Sequence, residues 1–535
     1  MPLDTAAIPK TEILVGGAWR PATVTATFRA LEPATGRPTA DEWPVSGWAD
    51  VDAALDAAAA VAGELRRLPG ARLAEFLARY ADALEARAAD LVAVAAAESG
   101  LAARPRLAEV EMPRMLDQLR QAAAAATEGT WRMAMIDSRR NIRSAAVGLG
   151  PVVVFPPGNF PLAYGAVTGG DFAAAIVAGN PVIAKAHPAL PGVSCLAARL
   201  AHEVVCAAGL PAATVQLLHG IAPADGERLV ADPRVGASGF TGGEAAGRRL
   251  FAAASAAGKV MWVEMGSVNP VVLLPGAVAA RGAEIAAELT ASVTGSAGQF
   301  CTKPGLVFLV ADAAGESFTA VLAERVAAVG PQVLLGPGGL ERLEAAVAGL
   351  EAAGAGRLVG DDRASRAGGP CTRAPTLLAI RGGEFLAAPE RFVVEAFGNA
   401  TLLVRCADAA ELFQALGHVR GALAASIYAA AGDDALWRSV EPLLVDRAGR
   451  IVENRMPTGL AVTPPMQHGG PWPSAAPPFF SAVGLPWSSL RFARRVCYDG
   501  WSQQRLPEWL RDAAPPGRPW RFIDGAWTRE AVRPA

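Results

Sequence analysis

Lysine is nearly missing from this chain: of its 49 Lys and Arg residues only four, at positions 10, 185, 259 and 303, are lysines. The composition uses arginine wherever a generic cation serves, so Lys185, at the end of an apolar run, marks a place that wants a compact ammonium. Excess charge of either sign is also lacking. A net charge of −2 with 19% charged residues gives no basis for a nucleic-acid or anionic-membrane partner. Cysteine is sparse and scattered (195, 206, 301, 371, 406, 497), with no C-x-x-C pair and no metal-type spacing. That excludes a disulfide framework and a zinc module, and points to free thiols in a reducing, cytoplasmic setting. Met1 to Gly17 carries Asp4, Lys10 and Glu12 and no apolar core, so no secretory signal is expected there. Residues 145–170 have no charge at all and could by length cross a bilayer. Pro151, Pro156, Pro157 and Pro161 would break a helix there, so the stretch reads as a buried strand and loop.

What the chain has in quantity is apolar surface: 52% hydrophobic residues over 535 positions, enough for two or three domains around large cores. From Ala53 to Ala126 the pattern is helical and alanine-rich, and Trp131 to Ser144 suits a hairpin. Residues 151–265 then alternate short apolar strands (152–155, 181–185, 215–218, 237–240, 260–264) with helices expected from about 162, 193 and 244. This is the signature of a doubly wound parallel sheet. A second α/β unit follows, with a helix over 278–297, strands at 305–310, 375–379 and 400–404, and a helix over 315–328. The expected division is a Rossmann-type cofactor domain (1–130 and 151–263), a catalytic domain (264–475), bridging or oligomerisation segments (131–150 and 480–500) and a tail (501–535). Leu14 to Trp19 and Phe522 to Trp527 both read as small hairpins.

Five motifs carry the chemistry. Val263-Glu264-Met265-Gly266-Ser267-Val268-Asn269-Pro270 leaves a carboxylate at a strand end, and Gly298-Gln299-Phe300-Cys301-Thr302 supplies a thiol. A thiolate can add to a carbonyl, and a separate carboxylate can then activate water to release the acyl group. Asn159, in the rigid loop Pro156-Pro157-Gly158-Asn159-Phe160-Pro161, follows a buried strand, where its amide can donate to an oxyanion. Pro181-Val182-Ile183-Ala184-Lys185 is a strand ending in the ammonium. Phe240-Thr241-Gly242-Gly243-Glu244, running on to Gly247, is a strand, glycine turn and helix start, a place where a pyrophosphate can approach the backbone.

In this order the motifs resemble the aldehyde dehydrogenase superfamily over most of the chain. The resemblance implies an α/β fold with a small β oligomerisation element, NADP or NAD as cofactor, a homodimer or homotetramer, and Cys301, Glu264 and Asn159 as catalytic residues. It implies cofactor contacts from Lys185, Thr241, Gly242, Gly243 and Gly247. Glu395-Ala396-Phe397-Gly398 is similar to the family's Glu-x-Phe-Gly segment, which adds Glu395 and Phe397 to those contacts. Pro457-Thr458-Gly459, His468-Gly469-Gly470-Pro471 and Val496-Cys497-Tyr498 resemble the branch that holds NADP-preferring fatty-aldehyde and 2,5-dioxovalerate (ketoglutarate semialdehyde) dehydrogenases.

The expected reaction is NAD(P)-dependent oxidation of an aldehyde to a carboxylic acid through a cysteine thioester. A catalytically impaired nucleotide-binding homologue would lack the thiol or the carboxylate, and a CoA-acylating enzyme would not need Glu264. No acid follows Lys185 until Glu203, so a 2′-phosphate is tolerated, although the loop Gly220 to Asp225 offers no arginine. The five histidines are expected to be structural and the other five cysteines to lie in the core. The segment Trp472 to Gly484 has no charge and three aromatics, which favours longer aliphatic aldehydes over semialdehyde acids if it lines the entrance. A cation such as Arg455 reaching the pocket from elsewhere would reverse that preference.

Overall fold

Strand Val152–Phe155 is buried at every position, and the chain is built outward from it. An apolar run without alternation is what a central parallel strand requires, because helices cover both its faces. A computed structural model, which describes residues 12–360 and 369–533, pairs it in parallel with Val182–Lys185 on one side and Ala237–Thr241 on the other. Val215–Leu218 extends the first side and Val260–Glu264 the second, both in parallel. The chain thus moves outward in one direction and then returns to add strands in the other. The crevice where the direction reverses opens at the C-terminal ends of Val152–Phe155 and Ala237–Thr241, the usual ligand position in such sheets. The hairpin Glu12–Val15 and Ala18–Pro21 closes one edge, and Ala475–Ala476 pairs antiparallel with Val263 and Glu264 at the other.

A second sheet of seven strands runs Gly356–Val359, Thr376–Arg381, Ala400–Cys406, Pro304–Val310, Asn269–Leu273, Ala422–Tyr428 and Ala448–Glu453. All neighbours are parallel except the first pair. Glu264 ends the last parallel strand of the first sheet, and Asn269 begins a central strand of the second. Four residues, 265–268, therefore join the two sheets.

The helical pattern from 53 to 126 breaks into Trp48–Arg67, Gly70–Ala86, Ala88–Ser99 and Met112–Glu128, with an irregular turn at Ala103–Glu111. Helix Gly70–Ala86 buries Leu73, Phe76, Leu77, Tyr80, Ala81 and Leu84, the spacing of one helical face, against Met112–Glu128. Each large side chain so buried contributes about 1.5–3 kcal/mol. The helix expected from 162 starts instead at Gly170 and ends at Val177. Residues 161–168 form turns, held by Gln118 Nε2 donating to the carbonyls of Ala163 and Thr168. The helix expected over 278–297 is Pro275–Thr294.

A third sheet joins Ala493–Asp499, Ile142–Gly148, Met135–Asp137, Arg521–Ile523 and Ala526–Thr528. The last two strands form a hairpin within the C-terminal tail, so the tail is part of the same sheet as the 135–148 hairpin. Among the described residues no helix is long and apolar enough to cross a membrane.

Candidate active site

The turn ahead of Cys301 is wound left-handed. Ser296, Ala297 and Gly298 have φ of 50°, 56° and 68° in succession. Only Gly298 adopts this without strain, and each of the other two costs roughly 1–3 kcal/mol. A Cβ on Gly298 would also sit 2.2 Å from the Gly398 carbonyl oxygen, so no other residue fits there. The surroundings over-determine the turn. Asn269 Nδ2 donates to the carbonyls of Cys301 and Lys303, both at 2.9 Å, and Asn269 Oδ1 accepts from the Ala424 N–H. The asparagine of the Glu264 motif thereby fixes the thiol segment.

Three reactive groups meet at this point. Cys301 Sγ lies 3.0 Å from His468 Nε2, which lies 3.3 Å from Glu264 Oε1. His468 is 2% exposed and its ring stands edge-on to Tyr164, with centroids 6.1 Å apart. The His468 N–H donates to Ser481 Oγ, which anchors the segment. Burial, with Arg114 and Arg450 nearby, lowers the imidazole to about 3, so it is neutral at pH 7. Burial raises the Glu264 carboxyl to about 8, with Asp171 adding to the rise and Arg491 and Arg114 opposing it. At pH 7 the contact between His468 and Glu264 therefore joins two neutral groups and is not an ion pair. Cys301 is half-buried by surface area yet closely enclosed. Burial and Glu264 push its thiol well above the usual value, while Arg114 and its own N–H pull it down.

Asn159 is buried, and its Nδ2 donates to the Gln299 carbonyl at 2.9 Å, two residues before the thiol. Its loop is tied down by Glu111, whose Oε1 accepts the N–H groups of Leu162 and Ala163. Arg106 pairs with the other Glu111 oxygen and donates to the Asn159 carbonyl at 3.1 Å. The structure brings together the thiol, carboxylate and amide that the sequence singles out, and adds His468 to them. That histidine, expected to be structural, stands against the thiol. Arg114 and Arg450 are missed as well. Arg114 lies over the rings of Phe160 and Tyr164 (5.4 and 5.1 Å) and donates to the Tyr164 hydroxyl at 3.1 Å. Its buried Nε has no hydrogen-bond partner. Arg455 is exposed, whereas Arg450 is close enough to feel the Cys301 charge. Only the His-Gly-Gly-Pro motif could have flagged His468. No local signal marks either arginine.

Of the expected cofactor residues, Lys185 and Thr241 end the two strands that flank Val152–Phe155, at the sheet's reversal point. Lys185 is half-buried at its strand end, and among the described residues no hydrogen bond or ion pair engages its ammonium. Burial alone lowers it to about 8. Gly243, at the start of helix Glu244–Ala256, has open space where a Cβ would lie, as a ligand against the backbone needs. Thr241 and Gly242 are half-buried, and Gly242 donates its N–H to the Glu264 carbonyl. Gly247 is buried, and a Cβ there would lie 2.7 Å from Met265, so this glycine serves helix–strand packing and not a phosphate contact. Glu395 accepts the Ser267 N–H at 3.0 Å and is raised to about 7, chiefly by burial. Lys303 donates to the carbonyls of Ala396 and Ala400 on either side of half-buried Phe397. An unpaired ammonium, an open helix N-terminus and a half-exposed aromatic fit a dinucleotide.

Two further expectations change. Cys206 and Cys497 are exposed and not in the core. In the 472–484 segment, Trp472 packs on Phe251 and under Arg248, and Phe480 packs on Trp262, while Phe479 is exposed. Its aromatics thus flank the cofactor helix and strand.

Residues 19–475 match the aldehyde dehydrogenase family. The chain is 38% identical over 518 residues to alpha-ketoglutaric semialdehyde dehydrogenase 2 of Azospirillum brasilense, covering 93% of this chain and 96% of that one. It is 32% identical over 477 residues to the alpha-ketoglutaric semialdehyde dehydrogenase of Acinetobacter baylyi, covering 87% and 89%. Among solved structures, a mutant of Pseudomonas syringae aldehyde dehydrogenase C in complex with NAD+ and octanal matches with a TM-score of 0.78 and 21% identity, covering 93% of this chain and 99% of that one. The NADP complex of NADP-dependent glyceraldehyde-3-phosphate dehydrogenase from Bacillus halodurans matches with a TM-score of 0.76 and 21% identity, covering 91% and 98%. This chain belongs to the aldehyde dehydrogenase family and is an NAD(P)-dependent aldehyde dehydrogenase.

Proposed function

We propose that the enzyme oxidises an aldehyde bearing a distal carboxylate, alpha-ketoglutarate semialdehyde (2,5-dioxovalerate), with NADP as the preferred cofactor. The observation that carries this reading is Arg114. Its guanidinium is held in place by two aromatic rings and a hydroxyl, has no acidic partner among the described residues, and lies close enough to Cys301, Glu264 and His468 to shift all three. A positioned guanidinium without a carboxylate is a receptor for one. Arg450, also near the thiol, adds positive potential. The names of the two relatives at 38% and 32% identity support the same substrate. The uncharged 472–484 segment, whose Phe480 lines the cavity beside Glu264 and His468, supports a medium- or long-chain aldehyde instead, although Trp472 packs away on Phe251. Replacing Arg114 by methionine and measuring KM for 2,5-dioxovalerate and for octanal tests the choice.

In the proposed mechanism neutral His468 Nε2 takes the thiol proton as Cys301 Sγ attacks the aldehyde carbon. The free N–H of the Asn159 amide and the Cys301 backbone N–H hold the oxyanion. Lys185, Thr241, Gly242 and Gly243 would hold NAD(P), with Glu395 and Phe397 as further contacts. The bound cofactor supplies the hydride acceptor. Cys301 then carries a thioester, and Glu264, once ionised, activates the water that releases the carboxylic acid. The deacylating carboxylate supports hydrolysis over transfer to CoA, and its presence beside an intact thiol supports an active enzyme over a binding-only homologue. NADP preference rests on the unpaired Lys185 ammonium. Exposed Trp527 on the third sheet, with Trp501 and Trp520 just beyond the ends of its strands and the open edge strand Ala526–Thr528, supports assembly of a homodimer or homotetramer through that sheet. The free thiols support a cytoplasmic setting.

A further inference from the structure

Among the described residues, one trio of metal-ligating side chains comes together: Glu264, Cys301 and His468 each offer one ligand atom, all within 4.8 Å of one another. Thiolate, imidazole and carboxylate form a donor set that suits Zn2+. A tetrahedral ion, with arms of about 2.0–2.3 Å, sets its ligand atoms about 3.3–3.6 Å apart. The Sγ–Nε2 and Nε2–Oε1 distances are 3.0 and 3.3 Å, so these two pairs need to open by about half an ångström or less, and the sulfur and the carboxylate oxygen lie within 4.8 Å of each other. A second observation points to a ligand. Glu264 is 7% exposed, and its Oε2 is buried without any hydrogen-bond partner, beside a cavity lined by Glu264, His468, Gly469, Thr241 and Phe480.

We propose that Cys301, His468 and Glu264 form a binding site for a thiophilic divalent cation of the zinc class, and that the bound ion holds the enzyme inactive by occupying its nucleophile. The thiol and the carboxyl each release one proton to solvent on binding, so thiolate and carboxylate balance the two positive charges and the imidazole binds neutral. Arg114, Arg450 and Arg491 oppose the ion, while Asp171 and Glu395 offset them. Binding rests on the geometry alone. Inhibition rests in addition on Cys301 being the nucleophile, and the two are read separately.

The test uses the full chain, stripped by chelator and free of added thiol and cofactor, in a Cys206→Ser/Cys497→Ser background that removes the exposed thiols. Cys206 is the competing candidate, with His202 Nε2 3.7 Å from its sulfur. Titration with Co2+ is expected to give one equivalent with a sulfur-to-cobalt charge-transfer band. One equivalent of Zn2+ is expected to displace it and to abolish aldehyde oxidation, with EDTA restoring the rate. His468→Ala, with His468→Gln as a second variant should the first not fold, is expected to weaken Zn2+ binding at least about 100-fold with unchanged circular dichroism and melting temperature. A cobalt band that survives Cys301→Ala would overturn the site, as would His468 variants that bind Zn2+ as tightly as the parent. Loss of zinc inhibition in the Cys206→Ser/Cys497→Ser background itself would place the ion elsewhere.

Discussion

His468 Nε2 stands between Cys301 Sγ at 3.0 Å and Glu264 Oε1 at 3.3 Å, a neutral base against a thiol that its surroundings keep protonated. A thiol so strongly raised is a poor nucleophile unless its proton has somewhere to go. The imidazole is the acceptor within reach. His468→Ala is expected to slow formation of the acyl-enzyme about 100-fold or more, the usual range for loss of a general base. The pre-steady-state burst of reduced cofactor measures this directly, because it ends before deacylation. The loss should be largest near neutral pH and shrink as hydroxide deprotonates the thiol at high pH.

In the proposed mechanism release of the acyl group depends on ionised Glu264, and its carboxyl is raised to about 8. The steady-state rate is expected to climb with pH through about 8 wherever deacylation limits it. Glu264→Gln should remove that rise and leave a burst followed by a slow steady state. Equal loss in both phases would assign Glu264 to some other step.

The same group carries a stability signature. An unfolded glutamate ionises near 4.5, so between that pH and about 8 the folded protein holds a proton that the unfolded chain has released. Stability therefore falls as pH rises across this window. Glutamine cannot ionise, so the melting temperature of Glu264→Gln should gain on the parent between pH 5 and pH 8.5. A constant difference would show that the carboxyl is not raised.

Asn159→Ala is expected to cost about 10²–10³-fold in kcat through loss of an oxyanion donor. Its carbonyl, held by Arg106, and the loop anchored on Glu111 do not depend on the side chain. Substrate KM should therefore change far less than kcat.

Much of this was legible in the chain. The central strands announce themselves as unbroken apolar runs, since a parallel strand covered on both faces has no polar side to show. Cys301, Glu264 and Asn159 stand at strand ends or in rigid turns, where sequence context is local. The rest depends on distance in sequence. His468 meets the thiol across 167 positions, and Arg114 reaches the site from a helix whose local pattern is an ordinary amphipathic face. The tail shows its hairpin but not its partner, because Arg521–Ile523 finds Met135–Asp137 only once both domains are folded. Gly247 belongs to a strand, glycine turn and helix start where a phosphate contact is expected, and only the neighbouring Met265 marks it as packing.

Arg114 makes the substrate claim open to a direct trial. Hydrogen bonds to a charged group contribute about 1.5–3 kcal/mol, so Arg114→Met should raise KM for 2,5-dioxovalerate about 10–100-fold and leave KM for octanal nearly unchanged. The measurement that bears most directly on the whole account is kcat/KM of the unaltered enzyme for 2,5-dioxovalerate and for octanal, each with NADP. The account predicts a higher value for the semialdehyde acid; a higher value for octanal would contradict it.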